Sequence, residues 1–169
     1  MKKLIPLGLV LVMLVSILSG CSFREFLSDK ELTFDDLTIT VPGTYVNMKL
    51  LTNNPDLAFV YGIGDTAVLG IQETIVDVQN AVGYHVETAA DYAMEYIIQN
   101  RLMDARTQTT DGIVNFTYTA EVEGQSFTYL SAVFVNDEHF WLVQTYCYTE
   151  NFEANKADFW ECIQSVTLS

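Results

Sequence analysis

The sequence predicts an α+β domain in which an antiparallel β-sheet of about six to seven strands packs against two helices. Runs of apolar and β-branched residues with a period of two are joined by short turns, which indicates antiparallel pairing. Two longer segments, one near the middle and one near the end of the chain, have the apolar spacing of amphipathic helices. The predicted order is therefore three strands, a helix, three strands, a second helix and a short terminal strand.

The first three strands are defined by their turns. Leu37–Val41 alternates apolar and polar residues and stops at Pro42-Gly43, as a half-buried strand ending in a turn does. Leu57–Tyr61 and Ala67–Val76 flank the glycine-containing segment Gly62–Asp65, which is typical of a tight hairpin. These runs predict the first part of the sheet.

The first helix is predicted from Ala89 to about Leu102, since Thr88 and Asp91 have the spacing of an N-terminal capping pair. Tyr92 and Tyr96 lie one helical turn apart on its apolar stripe. We interpret both as core residues rather than as an aromatic platform for a ligand.

A three-strand meander is predicted between Ile113 and Tyr148, with turns at Glu121–Gly124 and Asn136–His139. Several of its strands are apolar on both faces, as expected for central strands that helices cover. The last helix is predicted at Asn151–Gln164, and Ser165–Leu168 predicts a short closing strand.

The N-terminal segment predicts export. Lys2 and Lys3 precede the apolar run Leu4–Leu18, which as a helix is about 22 Å long and too short for a bilayer core of about 30 Å. Leu18-Ser19-Gly20-Cys21 resembles a bacterial lipobox. The resemblance implies cleavage before Cys21 and a diacylglyceryl thioether on its sulfur, usually with N-acylation; an uncleaved N-terminal anchor is the alternative.

The predicted organisation is a signal peptide at residues 1–20, a lipidated cysteine with a short tether at 21–31, and one α+β domain at 32–169. The predicted localisation is the extracytoplasmic face of the cell membrane, with the lipid on Cys21 as anchor. Removal of the signal leaves six basic residues against 22 acidic ones, a net charge of −16. This charge argues against nucleic acid as a partner, and a partner that is charged should be cationic. The alternative is that the acidic residues keep an exported domain soluble and that none of them is specifically functional.

The two remaining cysteines are Cys147 and Cys162. In an exported domain they could form a disulfide or remain as two buried thiols, and both alternatives stay open. No basic or glycine-rich setting that would lower a thiol pKa surrounds either residue, so no catalytic cysteine is predicted.

Few residues suggest metal chemistry. Asp137, Glu138 and His139 could bind a divalent cation together with His85 and Glu87 only if the two segments meet. We interpret the first three as a solvated turn, and the adjacent acids Asp35 and Asp36 likewise as turn residues. No metal site and no cofactor are predicted.

Motifs of hydrolysis and nucleotide binding are also lacking in the sequence, including the Gly-x-Ser-x-Gly elbow and the phosphate loop. No catalytic residue is predicted, and we expect a protein that is not an enzyme. Paired carboxylates could arise by chance among 22 acids, so an envelope hydrolase is retained as an alternative.

The order of elements resembles the PsbP/Mog1-like domain found in small bacterial lipoproteins. The resemblance covers about Leu32–Ser169 and depends on Leu37-Thr-Ile-Thr-Val-Pro42, the helix before the meander, the hairpin Gly112–Val135 and the ending Phe159-x-x-x-Ile163-x-Ser165-Val166. It implies an accessory, assembly or binding role, and no partner-binding residues are carried over. Cystatin-like and nuclear-transport-factor-2-like folds are the alternatives, although they usually place the main helix before most of the sheet.

The sequence thus predicts a membrane-anchored lipoprotein with a non-catalytic interaction or accessory domain. Its partner would be another envelope or secreted protein, bound through a sheet face or an exposed aromatic edge. A lipoprotein that binds a small ligand or a divalent cation in a pocket is the main alternative.

Overall fold

The computed structural model describes residues 28–52 and 54–169. The predicted signal peptide and Cys21 lie outside these residues. The strands and helices in chain order are β1 (Lys30–Phe34), β2 (Leu37–Val41), β3 (Val46–Asn47), β4 (Leu57–Ile63), β5 (Thr66–Thr74), α1 (Ile75–Val82), α2 (Ala89–Gln99), β6 (Gln108–Thr110), β7 (Ile113–Val122), β8 (Gln125–Val135), β9 (His139–Tyr148), α3 (Phe152–Gln164) and β10 (Thr167–Leu168).

The strands form two antiparallel sheets in the described part of the chain. The large sheet has seven strands in the order β3-β4-β5-β9-β8-β7-β6, and the small sheet has the order β1-β2-β10. β5 pairs with β9, so the first half of the chain is joined to the meander at the centre of the large sheet. This arrangement confirms the predicted antiparallel α+β class.

The large sheet has two differently covered faces. The small sheet and α3 cover one face, where Trp141, Val143 and Phe59 pack against residues of β2. Cys147 and Ile163 lie in a further cluster beneath α3. Helices α1 and α2 cover one end of the opposite face, which we call the α2 face, and they enclose a separate core.

Helix α2 confirms the predicted start and core stripe. The Thr88 hydroxyl accepts a hydrogen bond from the Asp91 backbone N–H, and the Asp91 carboxylate accepts one from the Thr88 N–H, so the capping box is complete. Tyr92 is buried and stacks on Phe140 with ring centroids 4.7 Å apart. The helix ends at Gln99, three residues before the predicted end.

Helix α1 was not predicted, because the strand assigned to residues 67–76 ran through its first turn. β5 ends at Thr74, whose hydroxyl accepts a hydrogen bond from the Asp77 backbone N–H and so caps the new helix. Ile75 and Val76 are strong β-formers, which hid the capping signal. Gly83 ends α1 at φ 79°, a left-handed conformation that glycine adopts without a Cβ penalty.

The start of the domain also differs from the prediction. β1 begins at Lys30, within the segment assigned to the tether, and pairs along its whole length with β2. The prediction had placed β2 in one sheet with all later strands, whereas β2 belongs to the separate small sheet.

Candidate interaction surface

The part of the α2 face that α1 and α2 leave uncovered carries a group of half-buried aromatic residues. In an antiparallel sheet, residues directly opposite one another point to the same face. Tyr118 lies opposite Tyr129, which lies opposite Tyr146, and the next row places Phe127 opposite Tyr148. We call these five residues the tyrosine face.

The rings of the tyrosine face contact one another across β7, β8 and β9. The Tyr118 and Tyr129 centroids are 4.7 Å apart with planes inclined by 2°, and the Tyr129 and Tyr146 centroids are 5.0 Å apart. Phe127 lies 4.8 Å from Tyr148 and 6.0 Å from Tyr146. The five rings therefore form one continuous layer on the sheet.

This layer is mostly separate from the hydrophobic core. Tyr118 packs against the core beneath α2, whereas the other four rings pack against none of the three core clusters in the described residues. The hydroxyls of Tyr129 and Tyr146 have no hydrogen-bond partner among those residues, while the Tyr148 hydroxyl donates to Gln125 Oε1 at 3.0 Å. The layer thus presents apolar ring area together with two phenol oxygens that have no partner in the described residues.

Burial raises the pKa of Tyr129 and of Tyr146. These phenols are therefore neutral at physiological pH and can both donate and accept hydrogen bonds. The buried Gln144 fixes the edge of the layer, since its Nε2 donates to Tyr118 Oη at 3.1 Å and to Ser131 Oγ at 2.8 Å.

Acidic residues lie in the connections at one end of the tyrosine face, where β7 and β9 finish. Asp65 lies in the turn between β4 and β5, Glu123 in the turn between β7 and β8, and Glu150 two residues after the end of β9. The Asp65 carboxylate accepts a hydrogen bond from Asn151 Nδ2 at 2.8 Å, next to the start of α3. The basic residues of the described chain lie on other elements, namely Lys30, Lys49, Arg101, Arg106 and Lys156. The local electrostatic potential is therefore negative.

The predicted cation ligands are not brought together as a set. His85 Nδ1 lies 3.5 Å from Glu87, and both side chains are largely exposed. His139 instead lies beside Asp36, with Nδ1 3.5 Å from Asp36 Oδ2. Among the described residues, Asp35, Asp36 and His139 form a group whose ligand atoms lie within 4.8 Å of one another.

Within this group, the Asp36 carboxylate connects two turns through hydrogen bonds. Its carboxylate accepts hydrogen bonds from Trp141 Nε1 at 2.7 Å and from Asn136 Nδ2. Gln72 Nε2 donates to Asp35 Oδ2 at 2.9 Å and lies 3.5 Å from Asp36 Oδ1. Since both Asp36 oxygens already accept hydrogen bonds, we interpret the group as the link between the β1–β2 turn and the β8–β9 turn.

Cys147 and Cys162 are free, buried thiols in the structure. Cys147 packs in the cluster beneath α3, whereas Cys162 packs in the cluster shared with the small sheet. Burial raises the pKa of Cys147 and raises the pKa of Cys162 to about 12. Neither thiol has the low pKa of a nucleophile.

We expect both thiols to resist iodoacetamide at pH 8 in the folded protein. A thiol with a pKa of about 12 is ionised in about one molecule in ten thousand at that pH, and burial blocks access as well. Mass spectrometry should show alkylation of Cys147 and Cys162 only after unfolding in guanidinium. Rapid labelling of either in the native protein, or a mass about 2 Da lower than that of the dithiol form, would contradict this description.

A cleft of about 540 Å³ lies between β5, α1 and α2. Two of its three lining carboxylates accept hydrogen bonds from phenols, since Tyr92 Oη donates to Glu73 and Tyr84 Oη donates to Glu95, and the third is that of Asp56. Its other lining side chains include Ile71, Val78, Val82, Tyr96 and Gln99.

The fold is shared with solved structures. PsbP (CyanoP) from the cyanobacterium Synechocystis sp. PCC 6803 has a TM-score of 0.59 at 15% sequence identity, covering 90% of this chain and 99% of that one. The Ran-binding protein Mog1p from Saccharomyces cerevisiae has a TM-score of 0.54 at 10% identity, covering 84% and 96%. A Bacteroides thetaiotaomicron VPI-5482 protein has a TM-score of 0.52 at 7% identity, covering 83% of this chain and 48% of that one.

These likenesses confirm the predicted PsbP/Mog1-like fold, and at these identities they show the fold alone. No protein-family model matches the chain. No curated protein matches it either. Among the described residues, no helix is both long enough and apolar enough to cross a bilayer.

Proposed function

We propose that this chain is a lipid-anchored bacterial lipoprotein whose domain is a non-catalytic interaction module at the extracytoplasmic face of the cell membrane. Its partner is another envelope or secreted protein, which docks on the tyrosine face. The observation that carries the proposal is the layer of five contacting aromatic rings, of which only Tyr118 packs against the core beneath α2 in the described residues.

The composition of this layer supports a protein partner. Tyrosine is enriched in protein interfaces because it adds large contact area with few rotatable bonds and retains a polar atom. The free hydroxyls of Tyr129 and Tyr146 offer that polar atom next to apolar ring surface. The yeast protein with this fold is named as Ran-binding, so the fold can serve protein recognition elsewhere.

The proposed anchor would hold the domain close to the membrane. β1 begins at Lys30, nine positions after Cys21, and nine extended residues span at most about 30 Å. A partner would therefore meet the domain within that distance of the membrane surface. The net charge of −16 does not attract anionic headgroups, so the lipid supplies the membrane affinity in this proposal.

Cys21→Ala is expected to abolish lipid attachment, since the thioether needs the cysteine sulfur. Metabolic labelling with a palmitate analogue should mark the original chain and leave the variant unlabelled. Cys147→Ala serves as the control, because that thiol is buried and should not affect the label. Equal labelling of the Cys21→Ala variant would contradict the proposed anchor.

The docking proposal is tested by in-cell crosslinking of the full lipoprotein, followed by purification and mass spectrometry. The double variant Tyr129→Ser/Tyr146→Ser should lose the captured envelope protein. The matched control is Met94→Ser/Ile98→Ser, which removes two apolar side chains that are 56% and 62% exposed on α2. Loss of capture in the control, with capture retained in the tyrosine variant, would move the interface to α2 and contradict the proposal.

A further inference from the structure

We infer that the partner presents a cationic segment, with arginine or lysine side chains, to the tyrosine face. The inference rests on the proposed function and adds the chemistry of the partner. Three features of the surface lead to it: the acidic residues at one end of it, the acceptor atoms of its phenols, and the repulsion that would oppose a second copy of the same chain.

Three connections at one end of the tyrosine face, which we call its rim, each carry an acidic residue. Asp65, Glu123 and Glu150 lie at the same end of the sheet, because β5 and β8 start there and β4, β7 and β9 finish there. No lysine or arginine of the described chain lies in these connections. A positive segment that crosses the rings toward this end of the sheet would therefore meet carboxylates there.

The rings also offer acceptors for cationic donors. Tyr118 and Tyr129 are nearly parallel at 4.7 Å, so their ring faces are turned toward each other and their edges are left for a partner. The phenol oxygens of Tyr129 and Tyr146 have no partner in the described residues and can accept N–H donors from guanidinium or ammonium groups. Outer ring faces, where exposed, would add cation–π attraction.

A second copy of this chain fits the surface poorly. Face-to-face pairing that superposes the same ends of the two sheets would bring two copies of Asp65, Glu123 and Glu150 together, and like charges at an interface are unfavourable. An anionic partner, including nucleic acid or an acidic headgroup, would meet the same repulsion. Complementary charge therefore selects a cationic partner.

The probes are three fluorescein-labelled peptides of about twelve residues with alternating glycine and a test residue, which is arginine, citrulline or glutamate. Their binding to the purified full chain in non-ionic detergent is measured by fluorescence anisotropy. We expect the arginine peptide to bind at least about tenfold more tightly than the neutral citrulline peptide. The glutamate peptide should show no binding, and added salt should weaken the arginine complex.

Substitutions distinguish binding at the tyrosine face from a general attraction between an acidic protein and a cationic peptide. Glu123→Gln/Glu150→Gln should weaken arginine-peptide binding about fivefold or more, and Tyr129→Leu/Tyr146→Leu should weaken it as well. Glu87→Gln/Asp104→Asn makes the same charge change at exposed positions elsewhere and should leave binding within about twofold. Equal effects of the two acidic pairs, or equal binding of arginine and citrulline peptides, would overturn the inference.

The two proposals fail in different ways. If the citrulline and arginine peptides bind equally while Tyr129→Ser/Tyr146→Ser still abolishes partner capture in cells, the cationic partner is wrong and the docking surface stands. If the tyrosine variant captures the partner as well as the original chain does, the docking surface itself is wrong, and the inference falls with it.

Discussion

Replacing Asp36 with alanine is expected to lower the free energy of unfolding by about 3 kcal/mol. The change removes the acceptor of the Trp141 indole N–H and of the Asn136 amide. Trp141 is fully buried, so its N–H would lose its hydrogen-bond acceptor inside the protein, which is costly. Urea unfolding followed by circular dichroism measures the change. A loss below about 0.5 kcal/mol, the range of ordinary surface substitutions, would contradict the role of Asp36 in connecting the two turns.

The matched control for this prediction is Asp35→Asn. Asp35 is the neighbouring turn residue, with φ 53°, a conformation that asparagine tolerates. Its exposed carboxylate accepts only from Gln72, at 2.9 Å, so its replacement should change stability by less than about 0.5 kcal/mol. The contrast between two adjacent acids then separates the specific hydrogen bonds from the change in charge.

The contribution of Asp36 should depend on pH. Burial acts to raise the pKa of this carboxyl, but the hydrogen bonds from Trp141 and Asn136 outweigh burial and hold the pKa below its usual value. The folded pKa therefore lies below the unfolded one, and the stabilisation is complete above about pH 4. It is lost as the pH falls through the folded pKa, so the stability difference between the original chain and Asp36→Asn should shrink in acid.

Gly70→Ala is the second substitution with a large expected effect. Gly70 lies opposite Phe59 in the β4–β5 pair, and a Cβ at this position would lie 2.2 Å from Phe59 Cε1. Phe59 is 1% exposed and stacks on Phe34 with centroids 4.3 Å apart, so the ring has no free space to enter. We expect a loss of about 2–3 kcal/mol from overpacking, measured by urea unfolding.

A double-mutant cycle tests the cause of this loss. Phe59→Leu removes the ring that the methyl group added by Gly70→Ala would strike. The cost of Gly70→Ala should therefore fall by at least about 1 kcal/mol in the Phe59→Leu background. If the two substitutions were additive, the clash with Phe59 would not explain the requirement for glycine.

The fold was largely predictable because most elements have a local pattern. The meander from Ile113 to Tyr148 alternates clearly and is joined by short polar turns, and the structure confirms it. Helix α1 was missed because Ile75 and Val76 continue the β-rich run of β5, and only the Thr74–Asp77 capping pair indicates the change. The division into two sheets depends on long-range pairing of β10 with β2, which no local pattern encodes.

The sequence predicted the type of surface that forms the candidate site, but not the set of residues that form it. The sequence predicted a sheet face or aromatic edge as the interface, but the five rings belong to three strands whose register had to be known. Phe127 and Tyr129, like Tyr146 and Tyr148, have the spacing of two that places them on one face. That signal was available in each strand. Only the register in the sheet joins the strands into one layer.

The surroundings of His139 also could not be predicted from the local sequence. His139 was grouped with its sequence neighbours Asp137 and Glu138, whereas the fold brings it to Asp36, 103 positions earlier in the chain. The partner of a turn residue was therefore set by how two hairpins meet, and sequence proximity was a poor guide.

Site-specific photocrosslinking at the tyrosine face tests the central claim most directly. p-Benzoylphenylalanine replaces Tyr129 in the full lipoprotein in cells, and in a parallel strain it replaces Ile98 on α2. Irradiation is expected to join one envelope or secreted protein to position 129 and not to position 98. Crosslinks confined to position 98, or no protein adduct at position 129 when the lipoprotein is expressed and folded, would contradict the claim.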